Sequence, residues 1–255
     1  MKSTFLIISA AVFCSALLPA EEENYSLWPR RPAELKQARI LMNERQYDRA
    51  EELLAPYLKQ SGIAGREARQ ILGSRNVGRY LSREHPGAEV YTVRGGDTVA
   101  KIAKAHKCPQ DILLLLNGIV EPSALRVGQK LVVVPMRLRM VINPRQRELC
   151  VWDGEKLVAD YALTDVKAAA GKGNEQTTLK AREGYVDGAR LPASSLGHAA
   201  ANRVLCLENG LCIAGEENPR GKTIRMNQRD LNELALLLGV GAEVQILRED
   251  PKPGQ

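Results

Sequence analysis

The stretch VYTVRGGDTVAKIAKAHKCPQDILLLLNGIVEPSALRVGQKLVVVP, residues 90–135, decides the fold. Val90-Tyr91-Thr92-Val93 is β-branched and aromatic, and reads as a strand. Arg94-Gly95-Gly96 turns the chain, and Asp97 or Thr98 supplies a side-chain oxygen to cap a helix running to about His106. Pro109 opens a second short helix, Gln110 to Leu116, because the first helical turn does not need its missing N–H. Asn117-Gly118 ends that helix with residues that tolerate left-handed geometry. Arg126-Val127-Gly128-Gln129 turns again, and Lys130 to Val134 is a second strand. The order is strand, helix, helix, strand around a small mixed core.

This pattern closely resembles a LysM domain. The likeness rests on Tyr91-Thr92-Val93-Arg94-Gly95-Gly96-Asp97-Thr98, Ile102-Ala103, Leu116-Asn117-Gly118 and Leu125-Arg126-Val127-Gly128-Gln129-Lys130-Leu131, and spans residues 90–135. It implies binding of glycans that carry N-acetylglucosamine, chiefly peptidoglycan and chitin. It also implies a shallow groove between the loop Gly96-Asp97-Thr98-Val99 and the loop Asn117-Gly118-Ile119-Val120. Backbone donors and acceptors with a few apolar side chains suit sugar hydroxyls and flat apolar faces. Residues 91–135 carry half of the chain's net charge of +6, which adds attraction for stem-peptide carboxylates.

Residues 136–248 read as mostly strand. Arg137 to Ile142, Glu148 to Trp152 and Lys156 to Tyr161 are short alternating runs, with Asp153-Gly154 as the turn between the last two. Val204 to Leu207 and Leu211 to Ala214 form another hairpin about Asn209-Gly210. A helix from about Gln228 to Leu238 and a strand from Glu243 to Leu247 follow. The region is similar to the L,D-transpeptidase catalytic domain, a β-rich fold with a cysteine nucleophile. Met140 to Gly154 matches its opening hairpin, Leu211-Cys212-Ile213-Ala214-Gly215 stands where the family has a strand ending in His-Gly, and Arg220-Gly221-Lys222-Thr223-Ile224-Arg225-Met226 stands where it has Ser-His-Gly-Cys-Ile-Arg-Met. The nucleophile position is therefore Thr223 and the strand histidine position is Ala214, while Arg225 persists. A threonine hydroxyl without an adjacent base is a poor nucleophile, so the expectation is a dead domain serving as a binding or scaffold module. The alternative is an active transpeptidase that cross-links stem peptides with a relocated nucleophile, Cys212, and His198 as a distant base. The hairpin decides part of this. With a two-residue turn Cys206 faces Ile213; with a three-residue turn Cys206 and Cys212 lie opposite and can bridge.

Toward the N-terminus, Leu35, Ala38, Leu41 and Met42, then Tyr47, Ala50, Leu53, Leu54, Tyr57 and Leu58, recur at helical spacing. Pro32 suits a first turn, and the pair resembles one tetratricopeptide-type unit. A third helix over about 65–82 is weakened by Gly73 and Gly78, and His85-Pro86-Gly87-Ala88 reads as a linker. This segment is expected to be a small packing or spacer module rather than a peptide-binding groove, one that spaces or recruits. Residues 1–20, with Lys2, an apolar run Phe5–Leu18 and Pro19-Ala20, read as an export signal, so the mature protein is expected in the periplasm or cell wall with no transmembrane segment. The expected layout is α+β and multidomain: signal 1–20, helical segment 21–88, LysM 90–135, L,D-transpeptidase-like domain 136–248, flexible tail 249–255.

Composition narrows the classes further. Aromatics make up 4% and no long basic run occurs, which argues against nucleic-acid binding. Three histidines and five cysteines show no ligand spacing, so neither a metal nor a cofactor is expected. Gly171-Lys172-Gly173 reads as a flexible loop, and Asp165, Glu175 and Asp187 as solvated carboxylates. Lys222 and Arg225 are candidates to meet stem-peptide carboxylates, and an envelope protein is the other candidate partner.

Overall fold

The computed structural model describes residues 32–83, 85, 87–186, 189–191, 202–215 and 222–249. The expected signal, Asp187, His198, Arg220, Gly221 and the tail beyond Glu249 lie outside them.

The described residues begin with three helices: α1 (Ala33–Asn43), α2 (Tyr47–Leu58) and α3 (Ile63–Tyr80). Pro32 precedes α1 in its N-cap position rather than entering the first turn. The expected apolar stripes are buried, with Leu35, Ala38 and Leu41 on α1 and Ala50, Leu54 and Leu58 on α2. The next part is β1 (Glu89–Thr92), α4 (Val99–Ala105), α5 (Gln110–Leu116) and β2 (Lys130–Val133), with a 3₁₀ turn at Pro122–Ala124. Its strands pair antiparallel, Tyr91 opposite Leu131.

The remainder is β3 (Leu138–Asn143), β4 (Glu148–Asp153), β5 (Lys156–Asp165), β6 (Glu175–Val186), β7 (Ala189–Leu191), β8 (Asn202–Leu207), β9 (Cys212–Ala214), β10 (Thr223–Met226), α6 (Gln228–Leu237) and β11 (Glu243–Ile246). The sheet runs β11-β3-β4-β5-β10-β9-β8-β6-β7 and also pairs β11 with β6, so it closes into a ring. Two pairings are parallel, β9 with β10 and β3 with β11. Closure depends on β6, which sequence patterning did not mark as a strand. Its first half pairs with β11, Glu175 opposite Ile246, and its second half with β8, Arg182 opposite Leu205. Polar residues dominate it, so it lacks the apolar alternation that marks a strand in sequence. The β4–β5 loop is Gly154-Glu155, one residue later than read, because Asp153 already pairs with Lys156 and Gly154 takes the positive φ of +57°.

β4 is buried on both faces. Leu149 and Val151 join the cluster that holds Met140, Ile142, Ile224 and the inner side of α6. Cys150 and Trp152 join the cluster formed by α1, α2 and α3. A strand covered on both faces needs a second layer, and the three helices are that layer. The helical segment acts here as a packing module: from Pro32 onward the chain forms one compact unit. Polar groups weld the layer on. Asn76 donates to Leu157 O at 2.7 Å, and Arg69 donates to Leu58 O at 2.9 Å, to Gln60 O at 3.0 Å and to the buried Glu148 carboxylate. Arg66 meets the other Glu148 oxygen at 3.1 Å. The Gly171–Gly173 loop is likewise held, by Arg248, which donates to Ala169 O, Gly173 O and Glu175. Glu175 also accepts from Asn209, and Asp165 accepts from Lys167 N–H, so these two carboxylates are structural partners rather than merely solvated.

Glycine at 73 is a close approach, not a weak point in α3. A Cβ there would sit 2.9 Å from Asp160 N, whereas at Gly78 it would meet nothing within 4 Å. Gly73→Ala should destabilise by about 1–3 kcal/mol despite the better helix propensity. Gly78→Ala should stabilise by about 0.5–1 kcal/mol. Urea melts of the two variants check the opposite signs.

Asp160 shares this interface. Burial and then the Glu148 charge push its carboxyl from 3.8 up to about 6, against the pull of Arg69. Between those values the folded chain holds a proton that the unfolded chain has lost, so stability falls as pH rises from about 4 to 6. The loss is on the order of 2–3 kcal/mol. Asp160→Asn, which keeps an acceptor for Cys150, should melt higher than wild type at pH 7 and show a flatter profile across that window.

Candidate functional site

The two loops expected to form a glycan groove are built by local hydrogen bonds. Thr98 caps α4, its Oγ1 accepting from Lys101 N at 3.2 Å. Asp97 accepts from Arg94 N and Tyr91 Oη, both at 2.7 Å, and these bonds hold its carboxyl below the usual range. Lys101 donates to Gly96 O at 2.9 Å. In the second loop, Asn117 donates to Leu113 O and Val132 O at 2.8 Å and accepts from Val132 N at 2.7 Å. It therefore ties α5 to β2. Gly96 and Gly118 take φ of +83° and +61°, the left-handed region that glycine enters without strain.

The expected residues thus divide by role. Val99 is buried in the core, and the side chains of Asp97 and Asn117 are committed to the loops they shape. Gly96, Thr98 and Gly118 remain exposed, Ile119 is half-buried, and Val120 is 81% exposed. These leave backbone edges and one apolar surface accessible to solvent. The chain around them is anchored: Arg182 on β6 donates to Asp111 on α5 and to Ala235 O on α6 at 2.9 Å.

At the expected transpeptidase site, β9 and β10 run parallel with Thr223 opposite Cys212 and Arg225 opposite Ala214. The four residues therefore share one sheet face. Val204 lies opposite Ala214 across the antiparallel β8–β9 pair, and Cys206 opposite Cys212. The hairpin turn has three residues, Glu208-Asn209-Gly210, since Leu207 N bonds Leu211 O. That geometry places the two cysteines in register, and they form a disulfide. The relocated-nucleophile alternative needed a thiol at Cys212; its sulfur is bonded to Cys206.

Around the bridge, Tyr185, Val204 and Ala214 form an apolar cluster, and Thr223 is buried at 7% exposure. Arg225 donates to Gly215 O at 3.2 Å and so braces the end of β9. Lys222 is exposed. Tyr185 donates to Glu183, which also meets Arg190 at 3.1 Å, a polar group beside the cluster that motif reading missed. The remaining described thiols, Cys108 and Cys150, are buried, and burial raises both above the ordinary thiol range, the opposite of activation. His85 packs edge-on to Tyr80 and His106 edge-on to Tyr91, away from this face.

One group of potential metal donors occurs among the described residues: Glu148, Cys150 and Asp160, whose donor atoms lie within 4.8 Å of one another. Arg66 and Arg69 already hold Glu148, so this is an ion-pair network at the helix–sheet seam. Alternation along β4 was its sequence signal, since Glu148 shares a face with Cys150 and Trp152.

Residues 91–134 match the LysM domain model. The match runs from within β1 to one residue past β2. Similarity to solved structures extends over just under half of the chain. The Bdellovibrio bacteriovorus protein Bd1075 is 17% identical with a TM-score of 0.32, over 45% of this chain and 48% of that one. L,D-transpeptidase 1 of Mycobacterium tuberculosis is 10% identical with a TM-score of 0.30, over 48% and 67%. An L,D-transpeptidase from Mycobacterium smegmatis is 12% identical with a TM-score of 0.30, over 48% and 64%. This chain thus spans from about half to two thirds of those proteins.

Peptide mapping of the oxidised protein should recover Cys206 and Cys212 as one bridged peptide, with Cys108 and Cys150 alkylated only after denaturation. Alkylation of Cys212 in the folded, unreduced protein would show that the bridge is absent and reopen the relocated-nucleophile alternative.

Proposed function

We propose that this chain is an exported cell-envelope protein that binds the N-acetylglucosamine-containing strands of peptidoglycan through residues 91–134, and that its β domain binds or scaffolds without transpeptidase chemistry. The LysM match carries the first half of this reading. Its loops leave Gly96, Thr98, Gly118 and Val120 accessible while internal hydrogen bonds fix their shape, so little ordering is needed when a sugar docks. Single-site affinity is expected to be modest, micromolar or weaker, because many sugar hydroxyls give up water for few contacts.

The second half is supported by the strand pair at Thr223 and Ala214. Covalent acyl transfer needs a nucleophile with a base beside it. A buried threonine, an alanine and a bridged cysteine stand there instead. Exposed Lys222 is available to stem-peptide carboxylates or to an envelope protein. Among the described residues no helix is long and apolar enough to cross a membrane. The periplasm or the cell wall is the compartment where such a ligand is met.

Sedimentation with insoluble sacculi tests the glycan half. Deleting the domain is a poor control, because Val99, Ile112 and Leu113 share one cluster with Met136 and Met140. Val120→Asp is the better variant, being exposed and outside the core. It should lower sedimentation at least ~5-fold while moving stability by no more than about 0.5 kcal/mol. Soluble chitin oligomers should compete with wild type. Equal sedimentation of variant and wild type, without competition, would overturn the assignment. Incubation of reduced protein with muropeptides tests the other half: new cross-links that vanish in Cys212→Ala would make the β domain an enzyme.

A further inference from the structure

A cleft of about 750 Å³ opens between the start of α2 and the second half of α3. Four arginines line it: Arg45 from the α1–α2 turn, Arg49 from α2, and Arg75 and Arg79 from α3. Asp48 is the one carboxylate among its described lining residues. Among the described residues, none of the four guanidinium groups forms an ion pair, in contrast to Arg39, Arg66, Arg69, Arg182 and Arg248, which all do. Four like charges held together cost repulsion that a bound anion removes.

Two of the four are positioned by their neighbours. The Arg75 guanidinium lies 3.1 Å from the centre of the Tyr47 ring, and Arg49 donates to Gln46 Oε1 at 2.6 Å. Arg45 has φ of +59°, where glycine is the easy residue, yet a long cation stands there. The backbone contributes to the same wall. Gln46 gives α2 no side-chain cap, and the first intrahelical bond is Ala50 N to Gln46 O, so earlier N–H groups lack helical acceptors.

We propose that this cleft binds a small, multiply charged phosphate-bearing ligand. Guanidinium forks match phosphoryl oxygens, which accept from several directions at once. The Tyr47 face is already covered by Arg75, so recognition works through charge rather than by stacking a ring on tyrosine. The volume exceeds one phosphate group and admits two. A soluble phosphate compound and a lipid headgroup share this chemistry. The site lies on the helices and does not depend on the glycan reading.

Calorimetric titration of the full chain with pyrophosphate is the test, with citrate as a carboxylate comparator. The variant Arg45→Gly/Arg49→Gln removes two charges, and glycine suits the left-handed position, so its thermal midpoint should hold. Pyrophosphate should bind wild type, weaken at raised ionic strength, and bind the variant ~10-fold less tightly. If the double variant melts early, Arg79→Gln alone should weaken binding with the fold intact. Flotation with phosphatidylcholine vesicles, with and without an equal share of phosphatidic acid, whose headgroup is a phosphomonoester, separates the sources: arginine-dependent capture of the anionic vesicles supports a headgroup, and pyrophosphate binding without capture supports a soluble ligand. No pyrophosphate binding at millimolar concentration, equal affinity for citrate, or equal affinity in folded variants would overturn the proposal.

Discussion

The two-sided burial of β4 is the constraint on which the architecture rests. From Glu148 to Trp152 every residue is buried, and successive side chains point to opposite faces. One face closes the ring of strands over Leu149 and Val151; the other must be covered by α1, α2 and α3 over Cys150 and Trp152. Exposing the second face would return a tryptophan and its apolar neighbours to water, at about 1.5–3 kcal/mol for each large side chain. Glu148 lies on this face too, and a buried carboxylate is tolerable only with partners. Arg66 and Arg69 are those partners, so the helices bring both the apolar cover and the counter-charge.

The same logic joins the LysM part to the rest. Arg182 bridges Asp111 and Ala235 O, and Tyr80 donates to Asp153, which also accepts from Arg137 N. A single hydrophobic cluster runs from Val93 and Ile112 through Met136 to Met140 and Ile246. Under the proposed function, a glycan docked on these loops would therefore be held by the whole unit. Weak sugar contacts gain most from a frame that needs no ordering.

The LysM portion was legible because its signals are local. Thr98 caps, Gly96 and Gly118 turn, and Pro109 precedes a helix for reasons contained within a few residues. The helical stripes of α1 and α2 and the opening hairpin were legible for the same reason, since their periodicity reports burial directly. β6 was hidden because its strand character comes from two distant partners, β11 and β8, rather than from its own polar residues. Gly73 was misjudged because propensity describes an isolated helix, while the deciding atom is Asp160 N on another element. At the candidate sites, motif comparison pointed to Thr223 and Ala214, but their burial beside Val204 and Tyr185 is a property of packing.

By itself, the sequence determined the helices and strands whose signals are local, the turn and cap residues Gly96, Thr98 and Gly118, and the absence of cysteine and histidine from positions 223 and 214. It left open whether Cys206 faces Cys212, because one residue of turn length reverses which side chains oppose across a hairpin. Tertiary structure decided that pairing, the closure of the sheet through β6, and the docking of the helices on β4. It also gathered Arg45, Arg49, Arg75 and Arg79 from three places in the chain into one cleft. The physical reason is common to all four. Capping and periodicity act over one or two turns, whereas register, two-sided burial and charge convergence exist only once distant segments share the same space.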